Sequence, residues 1–289
     1  MAIYVECAED AQGKNTGAVS QCLDGIVVKY VLAPMGTQQF DSKTLAKSLA
    51  EWKEQISDKL LIPLYDVENL AIADVEPTYE ETRKQKLKIT DGKKVRTFEF
   101  KLGMCSHNAL TSYDGKTMQV YEITEDNELI AISKDGVTVN GQTVLIEVGM
   151  YKDTVKDKKN YTMVTLSYLD FREKEQNGVK LQLPFGESDV LGVFDGELVQ
   201  VSASATSVKF KILAGCEHTP VKGLLDADFT FKTAGGVAVV HTFVPSDAEG
   251  VYEFTGTGFV TGNVINTNGV VSTTEFAVEA VEPLSIIVT

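Results

Sequence analysis

A chain of 289 residues, 43% of them hydrophobic, can bury a full core in one large domain or two ordinary ones, which excludes a disordered chain. Its net charge of −14 excludes a protein that grips nucleic acid by its phosphates, because that needs a basic patch. The same charge suits a soluble protein, or one past which DNA slides without sticking.

The opening "MAIYVECAEDAQGKN" has neither the basic start nor the apolar stretch of a signal peptide. No apolar run approaches the length of a membrane span, so no membrane partner is expected. Cys7, Cys22, Cys105 and Cys216 are widely spaced without a CxxC. They read as free thiols of a reducing compartment, with a Cys7–Cys22 disulfide the less favoured alternative.

In chain order, "CLDGIVVKYVLAPMGT" predicts a strand ended by Pro34 and Gly36. Asp41-Ser42 opens a helix near 42–57, in which Leu45, Leu49, Trp52 and Ile56 line one face and Trp52 anchors the core. Pro63 returns the chain to extended form. In "KLKITDGKKVRTFEFKL", Asp91-Gly92 predicts the turn of a hairpin, with Phe98, Phe100 and Leu102 on its buried face. The preceding "EPTYEETRKQK" reads as a long exposed loop or arm. "SHNALTSYDG" reads as a short helix capped by Ser106 and stopped near Gly115. A meander follows, with turns at "EDNE", "KDG" and "NGQ", then a strand at "NYTMVTLSYLDF".

Pro, Gly and acid cluster in "LPFGESDVLGVFDG", which places a domain boundary near 190. Beyond it, short strands recur every 8 to 12 residues between Gly, Asn, Asp and Pro. The expected architecture is mainly β: an α+β sandwich or barrel with one or two helices over 1–190, then an immunoglobulin-like antiparallel β-sandwich over 191–289. Residues 191–289 hold 11 acids and 4 bases, a net of −7, and residues 1–190 hold 30 acids and 23 bases, also −7. The second domain is thus nearly unbuffered acid, which fits a solvated outward module.

Candidate chemistry is sparse. Cys105 with His107 and Cys216 with His218 repeat a Cys-x-His spacing. On strands each pair would present one thiolate and one imidazole to one face, and two pairs would complete a zinc site. The spacing is not that of known structural zinc sites, and the pairs lie in different predicted domains, so coincidence is the better reading. Cys105 has no orienting acid or oxyanion turn for nucleophilic work. His241 in "VVHTFVP" reads as a core or half-buried histidine. "TGTGFVTGN" lacks phosphate-loop spacing and reads as sandwich turns. Glu80-Glu81, and Glu125, Asp126 and Glu128, read as solvated turns without calcium-loop spacing. No catalytic, metal or cofactor-binding set is expected, and no enzyme.

The order of elements over roughly 20–150 resembles virion structural proteins of tailed phages that infect Bacteroidetes. The resemblance rests on Pro34 and Gly36; on Pro63, Asp66, Glu68 and Asn69; and on Cys105, His107, Ala109, Leu110 and Ser112. It continues through Asp126, Asn127 and Ile130 to Asp135, Gly136, Val137 and Gly141. It departs from that pattern before Leu87, where this chain is more basic. It implies that "GMCSHNAL" is a strand-to-helix corner, with Cys105 packed as a small apolar residue and His107 structural.

The resemblance further implies a tail-tube subunit, in rings stacked around a DNA channel with an outward C-terminal domain. An inter-subunit arm would be formed by Thr78, Tyr79, Glu80, Glu81, Arg83, Lys84 and Lys86. Its partners would be further copies of itself and other virion proteins, with DNA as passing cargo and host-surface glycans as a contact for the C-terminal domain. Its place would be the virion, assembled in the host cytoplasm. The alternatives are a capsid auxiliary, decoration or neck-ring protein and, in a different class, a carbohydrate-binding surface module.

Overall fold

The computed structural model describes residues 4–5, 25–37, 39–81, 83, 85–170, 172–273 and 277–288. Cys7, Cys22 and Lys84 lie outside them. Strand makes up 46% of the chain and helix 13%, against roughly 20–25% strand in an ordinary globular protein, so the protein is mainly β. It divides into two compact units, one ending at Val190 and the other beginning at Leu191.

The first unit comprises β1 (Tyr4–Val5), β2 (Val27–Ala33), α1 (Lys43–Ala46), α2 (Leu49–Ser57), β3 (Ile62–Pro63), β4 (Glu68–Ile72), β5 (Thr78–Glu81), β6 (Lys86–Thr90) and β7 (Lys94–Phe100). It continues with α3 (Met104–Thr111), β8 (Thr117–Thr124), β9 (Glu128–Ile132), β10 (Gln142–Val148), β11 (Thr162–Tyr168), α4 (Arg172–Asn177) and β12 (Gly178–Gln182). Ten of these strands form one sheet in the order β1-β12-β9-β8-β10-β11-β7-β4, with β2 on β8 and β3 on β2.

Strands β2 and β8 have no water-facing side over most of their length. Tyr30, Leu32 and Val120 pack with Phe98, Phe100, Val144 and Leu166. From the same two strands Val31 and Tyr121 are also fully buried. This is why "VVKYVLA" and "VYEIT" read as unbroken strand formers rather than as alternating ones.

The predicted single helix is two. Ser48 caps α2 by accepting from Glu51 N, and Ser42 caps α1 by accepting from Leu45 N. A second capping serine inside the run therefore interrupts it. Trp52 is fully buried, donates its indole N–H to Ala46 O at 2.8 Å, and meets Phe40 at 5.1 Å.

The turn expected at Asp91-Gly92 is not a hairpin turn. β6 and β7 run on in one direction, and both pair with the preceding segment: β5 with β6, Val75 with Lys93, and β4 with β7. Gly92 is instead a point of close approach, where a Cβ would stand 2.9 Å from Val75 O. At "NGQ", Asn140 bridges Ile132 in extended chain rather than turning. The cap of α3 is Gly103, not Ser106, which lies within the helix. The short α4 has no hydrophobic period to announce it.

The second unit comprises β13 (Val193–Ala203), β14 (Ser207–Ala214), β15 (Thr219–Pro220), β16 (Phe229–Lys232), β17 (His241–Val244), β18 (Tyr252–Gly256), β19 (Val264–Thr267), β20 (Val271–Ser272), β21 (Ala277–Ala280) and β22 (Leu284–Ser285). One sheet runs β17-β18-β14-β13-β21-β20 with β15 on β14; the other runs β16-β19-β22. Pairing is antiparallel except between β13 and β21, which run parallel. The core between the sheets is aromatic, with Phe210, Phe229, Phe231, Tyr252, Phe254 and Phe259 all buried.

Candidate assembly surface

In the first unit 68–81 runs against 86–100 as a ribbon, whose outer part, β5 and β6, is the most exposed regular structure there. At its root it belongs to the large sheet. Asn69 Nδ2 donates to Glu99 Oε2 at 2.8 Å, Lys101 pairs with Glu68, and Asp74 accepts from Val95 N at 2.8 Å and from Arg96 at 2.5 Å. Lys158 lies 2.6 Å from Glu99. Its hydrogen bond, ahead of Asn69, holds the Glu99 carboxyl below the usual range, and Glu99 in turn raises Lys158. At the midpoint Asp91 meets Lys88 and, at 3.4 Å, Arg172 of α4. The Lys88 hydrogen bond and charge hold the Asp91 carboxyl below its usual range, and Arg172 adds to this.

Beyond that root every described side chain of β5 and β6 is exposed. Among the described residues, the sheet they form has only two strands. From Ala73 to Glu81 the ribbon reaches about 30 Å at roughly 3.3 Å per residue. Cross-strand pairs set its faces: Tyr79 with Lys88 and Glu81 with Lys86 on one, Glu80 with Leu87 on the other. Lys86 lies 3.2 Å from Glu81 and 5.2 Å from the Tyr79 ring centre. Leu87 and Ile89 share a face and are 48% and 61% exposed. An isolated two-stranded ribbon is marginal in water, and this one is anchored through the Val75–Lys93 bridge and the β4–β7 pair of the large sheet.

Of the arm residues, Thr78, Tyr79, Glu80 and Glu81 therefore lie on β5, Arg83 at the exposed tip, and Lys86 on β6. β5 is a strand where charge density suggested a loop or arm, whereas β6 lies in the first strand of the expected hairpin. In "TYEE", exposed on both faces, the alternation that marks a strand is missing.

The other candidates resolve differently. Residues 105–107 sit on a helix, where positions two apart point to opposite sides, so Cys105 and His107 do not share a face. Cys105 is exposed and disulfide-bonded rather than packed as an apolar thiol, and Cys216 is also disulfide-bonded; among the described residues there is no free cysteine. The free-thiol expectation is corrected for both. Spacing alone carries no signal for such pairing. His107 Nδ1 lies 3.0 Å from Thr162 Oγ1. His218 is exposed in a turn, 3.3 Å from Glu197. His241 packs on Phe254 at 4.1 Å, with its two nitrogens 2.8 Å from Val239 O and 3.0 Å from Asp226 Oδ1. Glu80, Glu81, Glu125 and Asp126 are exposed, but Glu128 is buried in an ion pair with Lys180 at 2.7 Å. Among the described residues no group of three or more metal-ligating side chains comes together, and no helix is long and apolar enough to cross a membrane.

One polar cluster missed in the sequence lies inside the first unit. Tyr168 donates to Glu122, with Tyr30 opposite Glu122 across β2 and β8. Lys174 lies 3.6 Å from Glu122, and Lys94 covers the Tyr168 ring at 4.9 Å. Burial, then the Glu122 charge, pushes both phenols well above their ordinary range. Burial lowers Lys94. Glu122 is 3% exposed, so the cluster closes the core between β2, β8 and β11.

No protein-family model matches this sequence, and no curated protein matches it either.

Proposed function

We propose that the chain is a non-enzymatic structural subunit of a bacteriophage virion, a tail-tube subunit that closes into stacked rings around a DNA channel. The observation that carries the reading is the ribbon of β5 and β6, rooted in the sheet by ion pairs and exposed on both faces beyond it. The edges of such a ribbon present unpaired backbone groups on which another chain can pair. Supporting it are the mainly β architecture, the net charge of −14 and the order of elements over 20–150. Negative charge along the channel lets DNA pass without binding. The acidic second unit projects outward from the tube.

Light scattering on the purified chain across a concentration series, with negative-stain images, tests this. Stacked rings or tubes are expected. A persistent monomer, or a compact oligomer that never stacks, overturns the tube reading in favour of a capsid auxiliary or neck protein.

A further inference from the structure

The two strands of the ribbon carry opposite charge. From Glu68 to Glu81 there are five acids (Glu68, Asp74, Glu76, Glu80, Glu81) and no base, a net of −5. From Lys86 to Arg96 there are five bases (Lys86, Lys88, Lys93, Lys94, Arg96) and one acid, Asp91, a net of +4. These strands pair with each other on their inner sides. The outer side of β7 is taken by β11, so among the described residues the open acidic edge is β5 with Glu80 and Glu81, and the open basic edge is β6 with Lys86 and Lys88. The basic strand also carries the exposed Leu87 and Ile89.

We propose that the ribbon's partner is a second copy of this ribbon, laid with the basic β6 edge of one copy along the acidic edge of the next. The proposal rests on the reading of the ribbon as a self-assembly surface, and it decides the symmetry of that assembly. Two-fold pairing would set β6 against β6 or β5 against β5, placing lysine beside lysine or glutamate beside glutamate, and like charges directly opposite across strands destabilise. Opposite edges attract and leave each copy with one edge still open. Such a head-to-tail contact repeats, giving a ring where the rotation closes and a filament where it does not. Leu87 and Ile89 are then covered by the neighbouring ribbon, which supplies the apolar contact that a lone ribbon lacks.

Three full-length variants test it. Over β5 and β6, E80K/E81K changes β5 from −2 to +2 so that both strands are basic, K86E/K88E changes β6 from +2 to −2 so that both are acidic, and the four-site reversal exchanges the two while keeping opposite charges across each ribbon. Expected, by sedimentation at fixed concentration, is a loss of about tenfold or more in the assembled fraction for each two-site variant alone. Recovery is expected when the two are mixed in equal amounts. The four-site reversal is expected to assemble by itself and to be excluded from particles of the unaltered chain when the two carry different fluorophores. The mixture guards against ribbons that merely fray, since frayed ribbons would not recover.

Assembly of either two-site variant at the unaltered level overturns the edge pairing, as does free mixing of the four-site reversal with the unaltered chain; both leave self-assembly standing. Failure of the mixture to recover, or of the folded four-site reversal to assemble, overturns it too. An unaltered chain that stays monomeric removes the self-assembly reading, and this proposal with it. Open filaments in place of rings keep the edge pairing and remove the tube.

Discussion

Asp135 shows how a single carboxylate organises a turn in this protein. Its Oδ1 accepts from Val137 N and Thr138 N, each at 2.8 Å, and its Oδ2 accepts from the Thr138 hydroxyl at 2.9 Å. Those two backbone donors, first Val137 and then Thr138, hold its pKa down to about 2. A carboxyl depressed in the folded state stabilises the fold above its unfolded value near 4 and loses that contribution as pH falls through about 2. The Asp135 carboxyl carbon is accordingly expected to titrate near 2 by NMR. Replacement by Asn should remove the pH-dependent part, and a midpoint near 4 would contradict the turn geometry. "KDG" announced this turn because Gly136 takes φ +83°, a backbone region that other residues adopt only with strain. Glu128 was not legible as buried: its partner, Lys180, lies on another strand far along the chain.

Among the elements, the two short helices earn their place through Trp52. It is the only tryptophan and touches Phe40, Tyr121 and Phe185, at 5.1, 5.9 and 6.2 Å between ring centres. Trp52→Ala removes that volume and leaves Ala46 O without its donor, a loss of about 3–5 kcal/mol. Chemical denaturation followed by circular dichroism should show it. A loss under 1 kcal/mol would mean that the helices do not seal this core. The anchor was visible in sequence because Leu49, Trp52 and Ile56 recur at helical spacing. The break before it was hidden, because Ser48 is an ordinary polar residue until its hydroxyl is seen to cap α2. The ribbon was half legible. Its charge density marked it as exposed, but the Asp91-Gly92 pair imitated a hairpin turn while lying inside a continuous strand pair. A local turn signal is outweighed when a longer partner strand is already available.

For the whole molecule, the division at Val190–Leu191 leaves each unit with its own core: one built on β2 and β8, the other on packed phenylalanines. Residues 191–289 expressed alone are expected to fold, with a single cooperative melt and dispersed NMR resonances. A chain without dispersion would show that the aromatic core between its two sheets does not suffice. The β class could be read from turn residues at short intervals, since Gly258, Gly262 and Gly269 all adopt positive φ. The parallel β13–β21 pair could not, because parallel partners are distant in sequence and leave no local trace.

Cys105 and Cys216 are each disulfide-bonded. A disulfide acts chiefly by shrinking the freedom of the unfolded chain, and it exists only where thiols are oxidised. The same polypeptide is therefore two materials. In a reducing cell it is a softer chain that can still come apart and try again. In oxidising surroundings it is a toughened one whose shape at that moment is kept.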